Sequence, residues 1–484
     1  MSLHASYVLP ARAPSRKGSM IHMSKDLQEQ VTLLEQQFSV STEKLKEVTD
    51  HFVKELAKGL SKEGGSIPMI PTWVIGWPNG TEKGSFLALD MGGTNLRVCE
   101  VIVQGEGKFD IMQSKYRMPQ ALKTGTKEQL FDFIAESIKT FVDENHPDSK
   151  EMLDLGFTFS YPTEQHAIDH GKLLAWTKGF DIPGVEGENI VPFFNEALAR
   201  KGCNNVRLTT IINDTTGTLI ASRYAHPTSQ IGVIFGTGCN AAYMEKFGNI
   251  PKLDHLDFDA EMPMAINCEW GAFDNEHLVL PRTKYDVEVD EESPRPGQQT
   301  FEKMVAGCYL GDIFRRVLVD LHKQGLIFVD QDITKIEDPL AMDASVLSAI
   351  EIDPYENLSD VQALFENNFN ILTTEQERQL IRRAAELIGT RAARLSACGV
   401  SALVRKAEIA SCTVGADGSV FNLYPHFQER LAGAIGEILG SEHGEKIKAI
   451  PAEDGSGVGA ALIAALQAKG LGLTMATLEA RTKK

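Results

Sequence analysis

Two stretches built on the same logic constrain this chain most: FLALDMGGTNLRVCEVIV at 86 to 103 and IGVIFGTGCNAAY at 231 to 243. Each is an apolar, β-rich run, a glycine bend and a second apolar run, so each reads as two strands joined by a turn. Such a turn can offer backbone N–H groups to a phosphate. The first turn contains Asp90, Thr94 and Asn95, and Asn240 follows the Gly236-Thr237-Gly238 bend in the second. Repetition of the pattern predicts two related half-structures facing one cleft.

The segments around these turns alternate between helix and strand. Leu45, Val48, Phe52, Leu56 and Leu60 have helical spacing that stops at Gly64-Gly65. Leu130, Phe131, Ile134, Ile138 and Phe141 mark a helix over 127 to 142, and 152 to 159 reads as a short strand before Ser160. A long amphipathic helix is predicted from Gln376 to Leu395, with Arg382, Arg383 and Arg394 on a solvated face. Residues 410 to 424 contain another glycine bend. Gly455-Ser456-Gly457-Val458-Gly459 opens a helix, where free amides suit either an anion or close backbone packing. The acidic loop at Asp290 to Glu292 needs only solvent.

Composition narrows the function classes. The chain has 484 residues, enough for two compact domains, and 66 Asp plus Glu against 48 Lys plus Arg give a net charge of −18. That balance argues against direct nucleic-acid binding and against attraction to anionic membranes, so any anionic ligand must be held by local cations or amides. Seven cysteines without a CxxC pair fit a reducing compartment, and no run of 18 apolar residues suggests a membrane span. A cytoplasmic protein is expected. Residues 1–25 carry Arg12, Arg16 and Lys17 but no acid, and Pro10 and Pro14 make them a flexible basic tail rather than a presequence helix. Within it, Ser19 follows Arg16-Lys17 and could be a protein kinase's target.

Several phosphate and metal chemistries are excluded. There is no GxxxxGK[ST] sequence. Gly236 to Ala241 fits Gly-x-Gly-x-x-Ala, but strand-like residues follow it where a dinucleotide fingerprint needs a helix. His166 and His170 stand four apart with Ala167 between them, where a zincin would carry Glu, and read as surface histidines.

Seven motifs occur in the order seen in one family: DMGGTNLR (90 to 97), GFTFSYP (156 to 162), WTKGFD (176 to 181), INDT (212 to 215), FGTGCN (235 to 240), NCEWG (267 to 271) and PGQQTFE (296 to 302). From about residue 26 to 468 the chain resembles the eukaryotic hexokinases, and its single-unit length and Arg-Lys-Gly-Ser tail look most like the fungal members. The resemblance implies an α/β, two-lobed actin-like (ribonuclease H-like) fold with a sugar/ATP cleft. Residues 80–217 plus 457–484 would form the small domain and 26–79 plus 218–456 the large one. The implied activity is that of an ATP:D-hexose 6-phosphotransferase acting on glucose and on fructose and mannose.

Phosphorylating a 6-hydroxyl requires a base at that hydroxyl, positive charge at the moving phosphoryl and a polar pocket for the other hydroxyls. By resemblance Asp214 is the base, and Lys178 lies by the phosphoryl and the sugar. Ser160, Thr177 and Asn213 contact the sugar, as do Asn240, Glu269 and Glu302. Asp90, Gly92, Gly93, Thr94, Asn95, Gly236, Thr237 and Gly238 would serve the ATP phosphates. Arg97 and Lys115 supply supporting charge, and Gly418 and Ser419 lie on the adenosine side. Mg²⁺ would arrive with ATP, without a dedicated protein cage. A monomer–dimer equilibrium is a further expectation. Cys239, where the family more often has a small apolar residue, would make activity oxidation-sensitive if exposed. The paired acids also suit a glycoside hydrolase. A non-catalytic sugar sensor, a glucose-restricted glucokinase and, more remotely, a dehydrogenase stay open at this level.

Overall fold

The computed structural model describes residues 24–92, 94–147, 151–176, 179–339 and 341–481. They fall into two compact units. One comprises 24–39 with 311–389; the other comprises 40–310 with 390–481. The first is helical, with Lys25–Phe38, Ala344–Ile352 and Ser359–Phe369 among its helices. Phe328 N donates to Glu377 Oε1 at 2.7 Å inside it.

Among the described residues, the second unit contains every strand. In chain order these are β1 (Ile70–Pro71), β2 (Gly84–Met91), β3 (Asn95–Gly105), β4 (Lys108–Arg117), β5 (Leu153–Phe159), β6 (Thr163–Ala167), β7 (His170–Leu173), β8 (Val206–Ile212), β9 (Ser229–Phe235), β10 (Cys239–Lys246), β11 (Pro263–Asn267), β12 (Cys412–Asp417) and β13 (Ile447–Pro451). One sheet has the order β4-β3-β2-β5-β8, and the other β1-β11-β10-β9-β12-β13. Leaving out the edge strand β1, both follow one plan: an antiparallel meander of three strands, then two strands added in parallel to the first. The repetition read from the two glycine turns is therefore a repeated sheet topology, with each turn joining the first two strands of its sheet.

Local chemistry explains the elements flanking the site. The β-branched run Thr209-Thr210-Ile211-Ile212 favours β8, and Asn213 ends it by capping the next helix, its Oδ1 accepting from Thr215 N at 2.8 Å. That helix, Asp214–Ala225, is buried from Thr215 to Ser222. It packs against the helix Gly455–Ala468 so closely that a Cβ on Gly459 would stand 2.2 Å from Gly217 O. Close packing, one of the two readings of the 455 to 459 glycines, is thus realised. Against the five-stranded sheet, Leu87, Leu89 and Phe157 pack with Ile134, Ile138 and Phe141 of the helix Lys127–Asn145.

Three expectations need correction. The long helix runs Glu375–Lys406, and the three arginines expected on its solvated face are half-buried and paired rather than freely solvated. Arg382 donates to Asp353 O and Glu351 O at 3.1 Å, Arg383 to Glu35 at 2.6 Å and Arg394 to Glu437 at 2.8 Å. Asp290 is not on an open acidic loop but buried in the helix Lys284–Glu292, 2.6 Å from Lys303 Nζ. His166 and His170 lie on the β6–β7 hairpin, where His166 is exposed but His170 is half-buried. The helix Glu375–Lys406 is long and apolar enough to cross a membrane by length and composition, but 89% of its apolar window is buried within the protein.

Candidate active site

Asn240, near the start of β10, organises the polar centre. Its Nδ2 donates to Asn267 Oδ1 at 2.8 Å and Glu269 Oε1 at 3.0 Å, and lies 3.5 Å from Asn213 Oδ1. Its Oδ1 accepts from Ala241 N at 2.7 Å and Glu269 N at 2.9 Å. Two backbone donors against the oxygen fix the amide orientation, because the reversed amide would set N–H against N–H. Asn267, the last residue of β11, adds a 2.7 Å bond from Nδ2 to the same Glu269 oxygen. Glu269 then turns the chain with a left-handed φ of 56°.

Glu302 approaches from the helix Thr300–Val305 and accepts from Cys239 N at 2.9 Å. A Cβ on Gly238 would lie 2.7 Å from Glu302 Oε2, so only glycine lets the turn and the carboxylate meet. Lys303, one residue on, anchors this segment by donating to Asp290 Oδ1 and to Arg295 O at 2.8 Å. Asp214 opens the helix after Asn213 and accepts from Thr215 Oγ1 at 3.1 Å, where the helix dipole favours a carboxylate. Burial, reinforced by the charges of Asp214 and Glu302, pushes the Glu269 carboxyl up to about 7, although Asn267 and Asn240 donate to it. Burial also raises Glu302.

The second cluster follows from strand register. Asp90 pairs with Arg97 across β2 and β3, and Arg97 with Lys115 across β3 and β4, so a carboxylate, a guanidinium and an ammonium stand in one row. With Gly92, Thr94 and Asn95 they line a cavity of about 390 Å³. The turn is closed by Gly92 N donating to Asn95 O at 3.1 Å, and Tyr161 Oη donates to Gly92 O at 3.5 Å. The third group lies at the other turn. Gly236 N donates to Gly238 O at 2.9 Å, and β12 runs parallel to β9 with Asp417 opposite Ile234. That register brings Gly418 against Gly236, and Ser419 opens the following helix in solvent.

Of the residues expected at the site, Asn213, Asp214, Asn240, Glu269 and Glu302 gather around the polar centre, and six of those expected at ATP share the cavity. Ser160 lies half-buried just past the end of β5. Gly93, Thr177, Lys178 and Ser19 lie outside the described residues. Cys239 is buried and its thiol is held well above the ordinary value, which removes the expected ground for oxidation sensitivity. Sequence reasoning missed Asn267, though it sits in NCEWG. It also missed Asp454 and Ser456, whose signal was the acid immediately before the Gly-Ser-Gly turn. Among the described residues, no group of three or more His, Cys, Asp or Glu could hold a metal ion.

Two sheets built on one plan, a carboxylate at a helix start, a cluster of amides and acids, and a glycine turn beside a charged cavity suit phosphoryl transfer to a polyhydroxyl substrate. Family models described as hexokinase match residues 30–224 and 230–466. Hexokinase-1 of Schizosaccharomyces pombe is 65% identical over 474 residues, covering 98% of each chain. The hexokinase of Emericella nidulans is 57% identical over 466 residues, covering 95% of each. A solved structure of the Schistosoma mansoni hexokinase complexed with glucose superposes with a TM-score of 0.83 at 34% identity, covering 91% of this chain and 99% of that one. The chain belongs to the hexokinase family. It is a phosphotransferase of that family with the family's fold, which removes the glycoside hydrolase and dehydrogenase readings.

Proposed function

We propose that this protein transfers the terminal phosphoryl group of ATP to the 6-hydroxyl of glucose, and of fructose and mannose, with Asp214 as the general base. The observation that carries the reading is the polar centre. Asn213, Asn240, Glu269 and Glu302 converge from four separate chain segments, and amides and carboxylates are the groups that satisfy a sugar's hydroxyls. Asp214 follows Asn213 directly, so a hydroxyl held by the amide lies within reach of the carboxylate. Ser160 and Thr177 would complete the sugar contacts, and Lys178 would supply charge at the transferring phosphoryl.

The 90–95 turn, with Gly93 in it, would receive the β- and γ-phosphates together with the Gly236-Thr237-Gly238 turn, Arg97 and Lys115 would supply supporting charge, and Gly418 and Ser419 would border adenosine. Asp90 lines the cavity and suits a Mg²⁺ ion that keeps most of its waters and its phosphate oxygens. When bound, that ion neutralises charge on the β- and γ-phosphates. The lobes would be 80–217 plus 457–484 and 26–79 plus 218–456. Each strand of the five-stranded sheet lies in the first set and each strand of the six-stranded sheet in the second. The helices Asp214–Ala225 and Gly455–Ala468 straddle two of the three boundaries, at 217/218 and 456/457. A cytoplasmic location, a monomer–dimer equilibrium and phosphorylation at Ser19 complete the reading.

A coupled assay of ADP formation with glucose and MgATP tests it. Asp214→Asn should retain glucose binding and lower kcat roughly 10²- to 10⁴-fold, the worth of a positioned base. An unchanged kcat would remove Asp214 from that role. Glucose binding by the wild type without ADP production would establish the sugar-sensor alternative.

A further inference from the structure

Arg97 is more heavily engaged than a cation waiting for phosphate needs to be. Nη1 donates to Asp454 Oδ2 at 2.9 Å and Gln113 Oε1 at 3.4 Å. Nη2 reaches Asp454 Oδ1 at 2.7 Å, Ser456 Oγ at 2.9 Å and Asp90 Oδ2 at 3.2 Å. Ser456 Oγ in turn donates to Asp90 Oδ2 at 2.9 Å. Both terminal nitrogens of the guanidinium therefore have partners, and its charge is matched by two carboxylates. Counting Lys115, which lines the cavity with Arg97 and Asp90, two cations stand against the two carboxylates Asp90 and Asp454.

Asp454 also caps the helix Gly455–Ala468, accepting from Gly457 N at 3.2 Å, in a left-handed conformation with φ of 43°. An asparagine would serve that capping purpose equally well. A cap does not need the two-pronged grip on Arg97, and the grip joins residues 357 positions apart. All of Arg97, Asp90 and Asp454 are only partly exposed, which spares the pair from full screening.

We propose that Asp454 and Ser456 are positioning residues for the nucleotide phosphates: the start of the Gly455–Ala468 helix holds Arg97 and Asp90 in a single arrangement before nucleotide arrives. Arg97 then acts chiefly by fixing the turn and Asp90, and its net attraction for a polyanion is already offset. The inference rests on the assignment of the 90–95 turn to the phosphates. It adds two residues from the far end of the chain.

The experiment compares Asp454→Asn, Ser456→Ala and Thr94→Val in the full chain. Kinetics for both substrates are measured together with calorimetric titration of ADP in magnesium buffer. Asp454→Asn should weaken ADP binding and raise KM for ATP roughly 10- to 100-fold, the equivalent of one or two charge-assisted hydrogen bonds. KM for glucose should stay within about twofold. Ser456→Ala should shift the same two quantities by a smaller factor and leave glucose alone. Adding Asp454→Asn to Arg97→Gln should cost little further, since the two residues act as one unit. Equal changes in both KM values, or unchanged ADP affinity in both Asp454→Asn and Ser456→Ala, would overturn the proposal. Should Asp454→Asn fail to fold, Ser456→Ala alone decides. If Thr94→Val also leaves ADP affinity unchanged, the phosphate assignment of the turn fails first; if it weakens ADP while the other two do not, only the present inference fails.

Discussion

Glucose affinity should depend on pH through Glu269. Its carboxyl is displaced from 4.5 to about 7, first by burial and then by the charges of Asp214 and Glu302. That displacement corresponds to about 3 kcal/mol. The sign is that of a raised acid. Between about pH 4.5 and 7 the folded protein holds a proton that the unfolded chain has released, so this group's contribution to stability falls as pH rises and is fully unfavourable above about 7. Sugar hydroxyls donating to Glu269 would favour the ionised form and recover part of that cost, so glucose should bind with release of a proton near neutrality.

With a free-protein value of about 7, only roughly a tenth of the molecules carry ionised Glu269 at pH 6, against roughly nine-tenths at pH 8. If glucose requires the ionised form, its dissociation constant should be about tenfold larger at pH 6 than at pH 8 and level above pH 8. Titration calorimetry in buffers of different ionisation enthalpy measures both the affinity and the proton released. Quenching of Trp270, the buried neighbour in sequence, offers an independent readout. Glu269→Gln should bind glucose more weakly but without the pH slope. A pH-independent affinity in the wild type, or a slope that survives in Glu269→Gln, would refute the reasoning.

Gly238→Ala places a methyl 2.7 Å from Glu302 Oε2, so it should raise KM for glucose by roughly tenfold or more through displacement of the carboxylate, as steady-state kinetics would show. Arg391→Met strands Asp286, which the arginine holds through bonds of 2.6 and 2.7 Å in full burial, and should cost about 3–5 kcal/mol, read as a lower urea midpoint. Adding Asp286→Leu to Arg391→Met should recover much of that loss. Xylose, which lacks the terminal hydroxymethyl group, should stimulate the slow hydrolysis of ATP measured as ADP release; a fast hydrolysis indifferent to sugar would contradict this.

Much of the fold was legible because its signals are local. The glycine turns and apolar runs marked β2, β3, β9 and β10, and the spacing of Leu45 to Leu60 marked the helix Thr42–Leu60. Site residues emerged only where a motif was recognisable as a group, since no short spacing links Asn213 to Asn240, Glu269 and Glu302. Their meeting is a product of strand pairing: β10 pairs with β11 so that Ala242 faces Asn267, which sets Asn240 beside the turn that follows β11. Solvation was the least legible property. Asp290 and Arg383 look alike in sequence as surface charges, yet Asp290 is buried against Lys303 while Arg383 keeps partial exposure beside Glu35. Nothing local announces which charge will find a partner more than 300 residues away, as Arg97 does in Asp454.

The arrangement bears on how such a site would favour a sugar over water. Water is smaller than any hexose and far more abundant, so a pocket cannot reject it by size, and binding energy from the sugar's other hydroxyls must be spent on completing the site. Two links in the structure suit that purpose. Glu302, on the proposed sugar side, accepts from the amide of Cys239, the residue that ends the Gly236-Thr237-Gly238 turn. Asn240 reaches Asn213 at 3.5 Å, the longest of its side-chain hydrogen bonds, and that bond crosses from the six-stranded sheet to the helix that carries Asp214. A hexose that drew these two amides together would tighten the weakest connection around the base, and through Glu302 it would settle the turn proposed for the phosphates. Water makes too few bonds to do either.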